Sequence, residues 1–215
     1  MSFLTHYLDV FILMATSCPV SSTISAAKVG DNRKAIPGGF YFNYASILFL
    51  MLASCFLLIN IEIEHDFPSF NMAIVTVLTA IFSVLGEIII GFFMYSGREE
   101  GRSTVSRQSN RASYRDIVWA LLIAAEEELL FRIIWMQLII LISASGTFAT
   151  VLSALIFALN HFGFGWRAMA PKFYSGLLFG GLYLTGGGNM WCPVIAHVFA
   201  NLLIFVIGWR RYVSA

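Results

Sequence analysis

From Met72 to Tyr95 the chain carries a single charged side chain, Glu87. A stretch of that length and apolarity crosses a bilayer as a helix, because lipid offers no partner for an unpaired backbone group. It is not alone. Comparable runs cover about Phe42–Ile63, Asp116–Ile142, Phe148–Phe162, Lys172–Thr185 and Met190–Trp209. A weaker one, about Phe3–Cys18, is interrupted by His6 and Asp9 and lacks the basic flank of a signal peptide. Only 12% of the 215 residues are charged, about half the share usual in soluble domains. The expected fold is an all-α, polytopic transmembrane helical bundle of about seven spans, with six to eight as the range.

Charge outside these runs orients them. The segment 97–115 holds five arginines against two glutamates, a net +3, among serines and glycines. It divides the chain into N-terminal spans (1–96), a basic cytoplasmic linker (97–115) and a second transmembrane core (116–215). By the positive-inside rule the linker is cytoplasmic. Counting spans from it puts the Lys28–Lys34 loop, Arg167, Lys172 and the Arg210-Arg211 tail on the same side, and the acidic Glu62–Asp66 turn opposite. A chain net charge of +1 implies no attraction to nucleic acid. Three cysteines without paired spacing, Cys18, Cys55 and Cys192, suit small packing residues better than a disulfide or zinc framework. Gly176 and Gly180 suit close helix packing, and Gly186-Gly187-Gly188-Asn189 suits a tight turn.

The chemistry sits in the core. Glu126-Glu127-Glu128 and Arg132 interrupt an otherwise apolar span. One charge at the centre of a membrane helix costs about 2.5–3.5 kcal/mol on insertion scales, so the cluster demands a reason. On an α-helix Glu128 and Arg132 are one turn apart and can pair. Glu127 points about 100° away and has no partner on its own helix, the profile of a general base. Glu126, about 200° from Glu128, cannot share a small cavity with it and receives no catalytic role. Glu87 is expected to hydrogen-bond a neighbouring helix. Two histidine motifs follow: Phe157-x-x-x-His161, and His197-x-x-x-Asn201. At 1.5 Å per residue Glu127 lies about 16 Å, Asn201 about 14 Å, His197 about 20 Å and His161 roughly 9–15 Å from the cytoplasmic ends of their spans. One shared site in the cytoplasmic half of the membrane accommodates all four.

Glu-Glu-x-x-x-Arg, then Phe-x-x-x-His, then His-x-x-x-Asn, on successive apolar spans over about residues 116–205, resembles the CAAX protease and bacteriocin-processing (CPBP, or Abi) family of intramembrane endopeptidases. The resemblance implies that Glu127 with His161 activates a water, that His197 and Asn201 hold the developing oxyanion, and that Glu128, Arg132 and Phe157 support the site. It implies no metal. A zinc set of His161, His197 and Glu127 is the alternative, without the familiar close His spacing. The implied partners are the lipid bilayer and a peptide or lipidated-protein substrate, from prenylated C-terminal peptides to bacteriocin leader peptides. The implied location is the plasma membrane if the source is prokaryotic, with the site opening toward the cytoplasm. Two other functions compete: a non-proteolytic scaffold or bacteriocin-immunity protein of the same fold, and an ion- or proton-coupled carrier. The carrier would need inverted repeats or broken helices, which the sequence lacks apart from the glycine turn.

Overall fold

The structure is a computed structural model that describes residues 39–58, 66–95 and 114–213. The expected Phe3–Cys18 span, the Lys28–Lys34 loop and nearly all of the basic linker lie outside the described residues. Among those described, all regular structure is helical. The helices are α1 (Gly39–Leu58), α2 (Phe70–Tyr95), α3 (Tyr114–Glu128), a π-helical stretch (Leu129–Met136), α4 (Gln137–Ser143), α5 (Gly146–Leu159), α6 (Trp166–Thr185) and α7 (Trp191–Val213). The three segments from Tyr114 to Ser143 follow without a break, so the described residues form six rods.

Within α2, Phe70–Met94 is the one stretch among the described residues both long and apolar enough to cross a membrane. The count of about seven spans is therefore not reproduced. Two physical reasons account for it. The rod from 114 to 143 is long but carries the acidic cluster at its middle. Helix α5 has 14 residues, about 21 Å of rise against a hydrocarbon core of about 30 Å. Helix α2 packs only its small residues inward: Thr76, Ala80, Ser83 and Val84 are buried, while Ile74, Leu78, Phe82, Ile89 and Phe93 point outward. An apolar face of that extent suits lipid rather than water.

Helix periodicity explains the packing. On α1, Tyr44, Leu48, Leu52 and Cys55 recur at helical spacing and are buried. They face α3 and the π stretch, and Phe42 meets Trp119 edge-on at 5.2 Å. On α5 the buried pairs Ala149/Thr150, Ser153/Ala154 and Phe157/Ala158 repeat every four residues and pack on α6. There a Cβ on Gly176 would lie 3.1 Å from the Ala154 backbone, and one on Gly180 2.9 Å from Thr150 Cγ2. The glycines thus serve close helix approach, as expected. Gly187 (φ 72°) and Gly188 (φ 87°) make the turn into α7, a conformation that L side chains rarely adopt. Asn189 finishes the turn, with Nδ2 donating to the Asp66 carbonyl (2.6 Å) and Oδ1 accepting from the Trp191 amide (2.9 Å).

One span boundary needs correction. Lys172 was expected to open the sixth span just after Pro171, but α6 starts at Trp166 and contains Pro171. Proline is tolerated here because it forfeits only one bond, to the Arg167 carbonyl near the start of the helix. Lys172 is accordingly no loop cation. Its Nζ grips both carboxylate oxygens of Glu87 at 2.9 and 3.0 Å, which gives Glu87 the inter-helix partner expected for it.

Two apolar clusters result. One gathers α1, the π stretch and parts of α4 and α5 around Phe131, Trp135 and Phe157. The other joins α2, α6 and α7 around Phe179, Leu182 and Ala196. Cys55 and Cys192 are free thiols buried one in each cluster.

Candidate active site

The acidic run lies where these two clusters meet. Glu126, Glu127 and Glu128 close α3, and the π stretch begins at the next residue. A π-helix is rare, and short π segments are found disproportionately at functional sites. From Leu130 to Met136 every side chain is buried, Arg132 included, so the charges occupy the interior of the bundle rather than its rim.

Glu128 and Arg132 pair as the one-turn spacing suggested. Arg132 Nε donates to Glu128 Oε2 at 2.8 Å, with both side chains fully buried. Arg132 Nη1 donates to Ser153 Oγ (3.0 Å), and Ser153 donates onward to the Phe131 carbonyl (2.8 Å). The guanidinium also lies over the Phe157 ring, 5.7 Å from its centroid. Glu128 does more than pair with arginine. Its second oxygen, Oε1, is 2.9 Å from His197 Nδ1. The chain Arg132–Glu128–His197 therefore fixes the imidazole, and stacking on Phe179 (4.9 Å) with an edge contact to Phe157 (5.9 Å) fixes its plane. The other ring nitrogen, Nε2, faces Glu127 Oε2 at 4.0 Å.

Glu127 is buried with partners of another kind. Tyr44 Oη on α1 donates to Glu127 Oε1 at 2.9 Å. Asn160 Nδ2, at the C-terminal cap of α5, donates to the same oxygen at 3.4 Å and also to Tyr44 Oη. Glu127 thus lacks a partner on its own helix, as expected, but neighbouring helices supply neutral donors. Glu126 is buried too, and its Oε2 has no hydrogen-bond partner among the described residues.

The remaining expected residues are more loosely placed. His161 follows α5 directly. Its Nδ1 sits 2.9 Å from the Phe157 carbonyl, its ring 4.9 Å from that of Phe157, and Glu127 lies within its electrostatic reach. Asn201 donates to the Ala120 carbonyl at 3.4 Å, about two helical turns before Glu127. The structure therefore brings Glu127, Glu128, Arg132, Phe157 and His197 into one connected group, with His161 at its edge and Asn201 beyond it. Among the described residues no three His, Cys, Asp or Glu side chains are grouped so as to hold a metal ion, and this includes the alternative set of His161, His197 and Glu127.

Three contributors were missed. Asn160 stood unassigned inside the Phe157–His161 motif. Tyr44 had only a faint signal, the polar pair Asn43-Tyr44 in an apolar run. Ser153 had none.

No curated protein and no solved structure matches the chain. A family model does, over residues 113–203, the segment that holds all three motifs. Its description is type II CAAX prenyl endopeptidase, Rce1-like, and the matched family is one of membrane-bound peptidases. Residues 113–203, less than half of the chain, are thus similar to the Rce1-like CAAX-protease family.

Proposed function

We propose that this chain is a multi-pass intramembrane endopeptidase of the glutamate type, cleaving a peptide bond of a prenylated protein or membrane-associated peptide on the cytoplasmic side. The observation that carries the reading is the facing pair of Glu127 Oε2 and His197 Nε2, 4.0 Å apart on different helices, inside the segment that matches a peptidase family. Both donors to Oε1 of Glu127, Tyr44 and Asn160, are neutral, and Oε2 faces the ring of His197, an arrangement that suits a carboxylate accepting a proton. Glu127, with His161 beside it, takes a proton from water as the oxygen attacks the scissile carbonyl. The carbonyl becomes a tetrahedral oxyanion, and the proton passes to the leaving amine as the C–N bond breaks.

The oxyanion needs preorganised donors. His197 is suited to that work. Its Nδ1 is spent on Glu128, so donation from Nε2 makes it an imidazolium, with Glu128 as counter-ion and Arg132 holding Glu128 in place. Asn201 completes the hole by exchanging its long bond to Ala120 for the substrate oxygen.

The test is cleavage of a fluorogenic farnesylated CAAX peptide by purified protein. Glu127→Gln and His161→Ala each abolish cleavage while membrane insertion and thermal unfolding stay at the parental values. Retained cleavage in either variant contradicts the assignment.

A further inference from the structure

Tyr44 and Asn160 belong to none of the motifs above, yet both end on the carboxylate assigned as the base. Tyr44 is 6% exposed and Asn160 2%. The Asn160 amide donates to the Tyr44 hydroxyl, and that hydroxyl donates to Glu127 Oε1. A hydroxyl that accepts from an amide while donating to a carboxylate is polarised toward the carboxylate, and the two bonds strengthen each other. Asn160 also reaches Oε1 directly. Both donors converge on one oxygen of Glu127. The other, Oε2, is left facing the imidazole of His197.

We infer that Tyr44 and Asn160 are positioning residues for hydrolysis, clamping Oε1 of Glu127 so that Oε2 alone accepts the proton from water. The inference rests on the protease reading above. It also makes α1 part of the active site, although α1 precedes the family-matched segment 113–203. The clamp acts without charge. Facing Glu127 are Tyr44 from α1, Asn160 from the end of α5 and His197 from α7, with Glu126, Glu128 and Arg132 on its own rod. His161 lies within electrostatic reach, and the charges of Lys172 and Glu87 reach His161 in turn.

The full-length chain is assayed with the farnesylated CAAX peptide for kcat, KM and unfolding temperature, comparing the parent with Tyr44→Phe, Asn160→Leu, the double variant and Glu127→Gln. Loss of a hydrogen bond to a charged group lowers kcat roughly ten- to hundredfold in Tyr44→Phe, with KM changed less than about twofold. Membrane insertion and unfolding temperature stay at the parental values, so the loss is one of turnover and not of folding. The double variant loses little more than the worse single variant, since both donors act on one oxygen. Parental kcat in Tyr44→Phe overturns the inference. So does a fall in kcat accompanied by a fall in unfolding temperature, which assigns Tyr44 to packing. An inactive parent, or an active Glu127→Gln, instead overturns the protease reading, and the clamp with it.

Discussion

Glu127 and Glu128 are neighbours in the chain, both buried, and supported in opposite ways. Glu128 is held by ionic chemistry: Arg132 on one oxygen, His197 on the other, with Ser153 bracing the arginine. Glu127 is held by a phenol and an amide on one oxygen, with an imidazole 4.0 Å from the other. Under the proposed mechanism the first arrangement is frame and the second is base, set apart within a single helical turn.

The largest expected effect is on activity and falls on the base side. Glu127→Gln keeps the shape of the side chain and removes its basicity, so cleavage falls by at least about 10³-fold, with little change in stability. Next comes the frame. Arg132→Met leaves Glu128 as a buried charge facing only His197, and destabilises the fold by about 3–5 kcal/mol, read by unfolding in detergent. A variant of parental stability would show that Glu128 needs no such partner. Gly180→Val probes the packing that holds α5 and its Asn160 in place. Its Cβ would lie 2.9 Å from Thr150, and overpacking of this kind costs about 1–3 kcal/mol. The smallest effect is that of Lys172→Met, about 1–2 kcal/mol, because its pair with Glu87 is partly open to the surface. A loss of activity in Lys172→Met without loss of stability would move this pair from structure into the site.

The frame was legible in the sequence and much of the base side was not. Glu128 and Arg132 are four residues apart, and one-turn spacing places them together whether or not the fold is known. That logic survived the π-helical stretch, which residues 129–136, apolar but for Arg132, did not announce. It failed for contacts made across the bundle. Tyr44 meets Glu127 over 83 positions of sequence separation, and no local periodicity encodes that. Asn160 sat beside the motif histidine, but its role depends on the cap geometry at the end of α5. Pro171 misled the boundary of α6 because helix-breaking is weakest near a helix start. The number of spans is not reproduced among the described residues for a related reason: apolar runs mark helices well, but a 14-residue α5 and a charged central rod do not have the length or composition of free-standing spans.

In the proposed mechanism two adjacent buried acids have different tasks. The most direct test is single-turnover cleavage of the farnesylated CAAX peptide by Glu127→Gln and Glu128→Gln, each paired with its unfolding temperature. The expected result is a crossed pattern: Glu127→Gln inactive at near-parental stability, and Glu128→Gln clearly destabilised with part of its activity retained. Cleavage by Glu127→Gln at the parental rate would contradict the claim.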